Sequence, residues 1–194
     1  MNKEKIHEYI DEQIKSTSCL KENYEVFENI FNVLKNARDT GKQVFVMGNG
    51  GSASTASHFV ADLLKTSITQ ENKRFKAISL SDNIPVLLAW SNDESYDNIF
   101  SNQLENFLDK DDVVIGISGS GNSKNVLNAI QLANEKHATT IGLNGKGGGK
   151  LSEMVKINLT VNSEDMLTIE TIHLLICHLL TTMIRSDGTP KFNY

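Results

Sequence analysis

The sequence predicts an α/β protein in which helices cover both faces of a parallel β-sheet. Three observations predict it. Short apolar runs alternate with longer segments of helical periodicity from residue 41 onward, and strands separated by helices pair in parallel because no hairpin can join them. Glycine-rich turns follow the first, third and fourth of these runs, which is where ligands sit in such sheets. The chain of 194 residues, 39% hydrophobic and 22% charged, is long enough for one domain with a sizeable core.

The elements follow in order. Ile6, Ile10 and Ile14, then Tyr24, Phe27, Ile30, Phe31, Val33 and Leu34 recur at helical spacing, so residues 1–40 read as two helices. The 24–34 stripe reads as core packing or an oligomer seam. Segment 1–20 is hard to bury in a minimal sandwich and is the better candidate for contact with another subunit. Strands are expected near 43–47, 76–80, 112–117, 138–143 and 156–161. Helices are expected near 52–66, 84–91, 95–108, 123–136 and 166–185. The tail from Ser186 to Tyr194 is polar and is expected to be loosely held. The division is 1–40 for the N-terminal helices and 41–185 for the α/β core of a single domain, 1–194.

Composition excludes several classes. Nineteen Lys and Arg against 24 acids give a net charge of −5, with the cations scattered, which argues against nucleic acid as partner. No apolar run approaches a membrane span of about 20 residues, and Met1–Lys5 leads into a polar segment, unlike a signal peptide. Cys19 and Cys177 have neither metal nor redox spacing, and read as reduced thiols of a cytoplasmic protein.

Two turns carry the chemistry. Val44–Met47 runs into Gly48-Asn49-Gly50-Gly51-Ser52, and Val113–Ile117 runs into Ser118-Gly119-Ser120-Gly121-Asn122-Ser123. A glycine-rich turn from a strand into a helix N-terminus aims backbone N–H groups and the helix dipole at an anion. The first is also what a ligand-free tight turn looks like. The second adds three hydroxyls, more than a turn requires, and reads as a phosphate cradle. Neither is a Walker A loop, since no Gly-Lys-Ser/Thr follows. The first lacks the register of a dinucleotide fingerprint.

His58 and Asp62, four residues apart, share a helix face. Glu170 and His178 are eight apart, about 80° around the last helix at about 3.6 residues per turn, so both are expected to reach one site. Two histidines and two carboxylates suit zinc or a similar divalent metal; a histidine and a carboxylate equally suit general acid/base work. Each also has a plain reading, as packed histidine or solvated acid. His173 reads as a residue behind the site's ligands or as a packing residue; His7 and His137 read as surface histidines.

These blocks, with Ser91-Asn92-Asp93 and Gly145-Lys146-Gly147-Gly148-Gly149, resemble the sugar-isomerase (SIS) domain family and, within it, the bacterial phosphoheptose isomerases, over nearly the whole chain. The resemblance implies a five-stranded parallel sheet in a three-layer α/β/α sandwich of flavodoxin-like type. It implies a cytoplasmic homotetramer with active sites between subunits, and isomerisation of sedoheptulose 7-phosphate for surface-polysaccharide heptose. It further implies that Asn49, Gly50, Gly51, Ser52, Asp93, Ser118, Gly119, Ser120 and Ser123 contact the phosphorylated sugar. His58, Asp62, Glu170 and His178 would hold zinc or another divalent metal, with Asp62 as base and His178 as acid. Other sugar phosphates, and a non-catalytic binding or replication-initiator-associating scaffold, are the alternatives. The chain departs from the family pattern at Asp62 for Glu, Glu170 for Gln and Gly119 for Thr, and lacks the family's arginines beside the first two.

Overall fold

The computed structural model describes residues 3–193. Two helices, α1 (Lys3–Cys19) and α2 (Tyr24–Thr40), joined by a 3₁₀ turn, precede strand β1 (Gln43–Gly48). Then come α3 (Gly51–Ala61), which passes into a π turn (Asp62–Thr66), β2 (Lys76–Ser79), α4 (Ile84–Asp93), α5 (Ser101–Phe107), β3 (Val113–Ser118), α6 (Lys124–Glu135), β4 (Thr139–Asn144), α7 (Gly149–Met154), β5 (Ile157–Thr160) and α8 (Met166–Arg185). All five strands are parallel, in the order β2-β1-β3-β4-β5. This is the flavodoxin-like arrangement, whose order reverses between β1 and β3.

Strand alternation builds the three layers. Val44 and Val46 of β1 point to one core, Phe45 and Met47 to another, as a period of two requires. The first core holds Phe27, Ile30 and Leu34 of α2, Phe59 of α3, and Ile169, Ile172, Ile176 and Leu180 of α8. The second holds Leu104 of α5, Val126 and Ile130 of α6, and Leu151 of α7. Burying a side chain of this kind contributes about 1.5–3 kcal/mol, so the two apolar sets fix which helices lie on which face.

Three expectations change. The helix foreseen over 95–108 is a 3₁₀ turn, Tyr96–Asn98, followed by the seven-residue α5, and α7 was not foreseen. Helix α8 is long and apolar enough to cross a membrane, but half of that stretch is buried in the fold, which makes it a core helix. The tail is tied down: Thr69 and Pro190 form an antiparallel bridge, Gln70 N donates to Thr189 O at 2.9 Å and Lys191 N to Ile68 O at 2.9 Å. Asp187 accepts from Lys35 Nζ at 2.5 Å and Arg38 Nη2 at 2.7 Å, and these two bonds hold its carboxyl below the usual range. Tyr194 lies outside the described residues.

Candidate active site

The two glycine-rich turns leave the carboxyl ends of β1 and β3, on either side of the reversal in strand order. In the second turn Ser118 Oγ donates to Ser123 Oγ at 3.1 Å, and Asn122 N donates to Ser120 Oγ at 3.2 Å. Ser118 is buried, while Ser120 and Ser123 are half-buried at the mouth. Gly121 has φ 64°, and a Cβ there would fall 1.8 Å from Gly148 O, so only glycine fits. Gly119 stands against Met166: a Cβ would meet its sulfur at 2.4 Å. Met166 reaches in from α8 and fills the space beside this glycine.

The first turn is occupied by the chain itself. Asn49 Oδ1 accepts from Tyr96 Oη at 2.8 Å and from Asn125 Nδ2 at 2.9 Å, and Asn49 Nδ2 donates to Asn125 Oδ1 at 2.9 Å. A cavity of about 170 Å³ beside it is lined by Asn49, Gly50, Ser81, Ser91 and Tyr96. Ser52 is buried. Glu170 lies over the start of α3: a Cβ on Gly51 would fall 2.3 Å from Glu170 Oε2. Asp93, at the end of α4, is exposed and accepts from Asn92 Nδ2 at 2.7 Å, so it is engaged with its chain neighbour and not with the Ser turn.

Helix α3, the π turn that continues it and α8 bring His58, Asp62 and His178 together. The two Nε2 atoms are 3.0 Å apart, the rings meet edge to face at 66°, and Asp62 Oδ2 lies 3.7 Å from His58 Nε2 and 3.8 Å from His178 Nε2. The three ligand atoms lie within 4.8 Å of one another. Both imidazoles are half exposed, whereas Asp62 is 13% exposed. Asp62 opens the π turn, closed by Ser67 N donating to Asp62 O at 2.8 Å. Such turns interrupt the regular ladder and are frequent at functional sites.

Glu170 is not part of this group. Eight residues of helix separate its backbone from that of His178 by about 12 Å, and its carboxylate faces Gly51 instead. The Ser turn is remote in the same way: Gly119 packs on Met166, twelve residues and about 18 Å of helix before His178. One chain therefore presents the serine-rich turn at one end of α8 and an imidazole–carboxylate cluster towards the other.

His173 is fully buried, its Nε2 3.1 Å from Asn144 O. Burial lowers its pKa to about 4, so the ring is neutral, and Nε2 carries the hydrogen given to the carbonyl. It is a packing residue, as its position between the two halves of α8 requires. Sequence reasoning missed Asn125, Tyr96 and Arg185. Arg185 lines a cavity of about 350 Å³ with Asp62, Thr66, His178, Thr181 and Thr182. Its spacing of seven from His178, two helical turns, is the signal that places it on the same face.

The SIS domain family model matches residues 8–145. A phosphoheptose isomerase of Aliarcobacter butzleri is 36% identical over 182 residues, 94% of this chain and 96% of its own. Two solved phosphoheptose isomerases, from Neisseria gonorrhoeae and Francisella tularensis, are each 28% identical and superpose with TM-scores of 0.89 and 0.90. They cover 96% of this chain and 100% and 99% of theirs.

Proposed function

We propose that this chain, which belongs to the SIS domain family, is a phosphoheptose isomerase: it interconverts sedoheptulose 7-phosphate and a heptose 7-phosphate for surface-polysaccharide synthesis in the cytoplasm. The observation that carries the chemistry is the His58–Asp62–His178 cluster, two imidazoles and a largely buried carboxylate within 4.8 Å. Ketose–aldose exchange needs one group to take a proton from the carbon beside the carbonyl and return it to the neighbouring carbon. Asp62 is the base and His178 the acid. The phosphate binds the Ser118–Ser123 turn, where two half-buried hydroxyls and the start of α6 face the solvent.

The donor set also fits a divalent metal. Two nitrogens and one carboxylate oxygen, with an open side, are the ligand chemistry of a catalytic zinc site. His58, Asp62 and His178 would hold the ion, and it would supply Lewis acidity towards the sugar oxygens. Glu170 enters that set only if its carboxylate leaves Gly51. The aspartate is one methylene shorter than the family's glutamate, and its place at the head of the π turn is what supports its reach towards the histidines.

The separation of cradle and cluster along α8 supports active sites composed between subunits. Ile6, Tyr9, Ile10 and Ile14 of α1 and Leu179 of α8 are exposed, and an apolar groove of about 430 Å³ runs past Leu20, Phe27, Leu175, Leu179 and Met183. These are the surfaces a homotetramer would cover. Helix α1 already rests on α8 through Gln13 Nε2 donating to Thr168 Oγ1 at 2.7 Å.

The test is proton exchange at C1 of sedoheptulose 7-phosphate, followed by NMR with metal-loaded protein. Exchange is expected in the parent and should fall by about 10²-fold or more in Asp62→Asn. Tight binding without exchange in the parent would make the chain a sugar-phosphate-binding protein on an isomerase fold. Full activity in Asp62→Asn would move the base elsewhere.

A further inference from the structure

The isomerase reading leaves one cation of the cluster's own cavity without a task. Arg185 lines the same cavity of about 350 Å³ as Asp62 and His178, together with Thr66, Thr181 and Thr182. Thr181 Oγ1 donates to Cys177 O and Thr182 Oγ1 to His178 O, each at 2.8 Å. Both hydroxyl hydrogens are thus spent on the helix, which leaves these oxygens only as acceptors. Arg185 is the donor-rich group of the wall, a planar fork of five N–H bonds that matches paired oxygens.

The fork is held by the tail. Arg185 Nη2 donates to Phe192 O at 2.8 Å. The ring of Phe192 lies under Lys65 Nζ, 4.7 Å from its centroid, and Lys65 belongs to the π turn that begins at Asp62. Phe192 therefore ties the end of α8 to the turn that carries Asp62. Residues before it are fixed in turn: Lys191 N to Ile68 O, Gln70 N to Thr189 O, Thr189 N to Glu71 Oε2 at 2.9 Å, and Asn72 Nδ2 to Asp187 O at 3.1 Å.

We propose that Arg185 is a substrate-contacting residue that binds the vicinal oxygens at the carbonyl end of the sugar, and that the strap Asp187–Phe192 is the positioning element that aims it. The proposal rests on the isomerase reading for the identity of the ligand. It assigns to the tail a role in binding, beside a cavity wall that also holds Thr66.

The experiment measures steady-state kinetics and calorimetric binding of sedoheptulose 7-phosphate for the parent, Arg185→Gln, Arg185→Lys and Phe192→Ala, with cobalt content determined in each. Arg185→Gln should raise KM and Kd about tenfold or more at unchanged cobalt content, and lower kcat as well, since the enediolate charge develops on the oxygens it holds. Arg185→Lys should recover part of the loss, since it keeps the charge and loses the fork. Phe192→Ala should raise KM about two- to fivefold, in the same direction as Arg185→Gln and by less. KM and Kd within twofold of the parent in Arg185→Gln, or a loss confined to kcat, would overturn it. If Arg185→Gln fails to fold, unchanged KM in both other variants does the same. A parent that binds the sugar phosphate but does not turn it over defeats the isomerase reading alone, and the ratio of Kd values still decides Arg185. A parent that neither binds nor converts it defeats both.

Discussion

The two glycine-rich turns share one sequence grammar and meet different fates. Each leaves a parallel strand, each enters a helix, and each lies beside the reversal in strand order. After β1, the turn is filled from within. Glu170 lays its carboxylate over Gly51 at the start of α3, and Asn49 is locked between Tyr96 and Asn125. After β3, the neighbour that reaches in is the thioether of Met166, packed on Gly119, while Ser120 and Ser123 stay at the mouth. A helix N-terminus attracts negative charge in either case. What differs is whether the fold supplies the anion or leaves it to a ligand, and α8 decides this at both turns.

The largest expected contrast is covalent fit. Gly121→Ala puts a Cβ 1.8 Å from a backbone oxygen at a φ of 64°, and backbone cannot swing aside. It should cost about 3–5 kcal/mol of stability, read as a lower denaturant midpoint at unchanged slope. Gly51→Ala meets only the end of a flexible side chain, Glu170, and should stay within about 1 kcal/mol of the parent, since alanine is also the better helix former. Equal losses in both would erase the distinction between a rigid turn and one plugged by a movable group.

His173 tests the element that sets both turns. It pins α8 to the end of β4 through Asn144 O, and Gly145 N, next in the chain, donates to Gly119 O at 3.2 Å. Burial lowers its pKa to about 4, against about 6.5 in an unfolded chain. The unfolded state then binds the proton first as pH falls. Its contribution is full above about pH 6.5 and is lost progressively down to about pH 4, on the order of 3 kcal/mol in all. Urea unfolding across that window should show the slope, and His173→Gln should flatten it. An identical slope in the variant would place the titration elsewhere.

Ser123→Ala should weaken sugar-phosphate binding by about 1–3 kcal/mol, the cost of one hydrogen bond to a charged group. Ser52→Ala, in the plugged turn, should not match it. Calorimetry with sedoheptulose 7-phosphate distinguishes them, and equal losses would show that ligand reaches both turns.

The sheet was legible because short strand-like segments between helical stretches leave little choice, and the structure shifts their bounds by no more than one residue. His58 with Asp62 was legible for the same reason: a spacing of four on one helix is a local fact. Glu170 stands apart from the histidines of its own chain because an angle around α8 says nothing of the rise along its axis. About 12 Å of rise puts it against Gly51, two turns from the histidines. The tail was misjudged because its partners, Ile68 to Asn72 and Arg38, lie more than a hundred residues away in sequence. Polarity alone carries no information about such pairing.

The smallest effect bears most directly on the comparison. If Glu170 is the anion of the first turn, Glu170→Gln removes a charge from the start of α3 while keeping its volume. The interaction of a carboxylate with a helix N-terminus contributes about 0.3–1 kcal/mol, and stability should drop by that amount. The vacated charge site should then accept an external anion weakly. A ³¹P NMR titration with inorganic phosphate should show one binding event in the parent, weakened by Ser123→Ala, because that event belongs to the second turn. In Glu170→Gln a second, weaker event should appear and should survive Ser123→Ala, since it belongs to the other turn. If Glu170→Gln titrates like the parent and unfolds at the same urea concentration, the carboxylate over Gly51 is not what closes the first turn. The hydrogen-bonded Asn49 would then be the group that does.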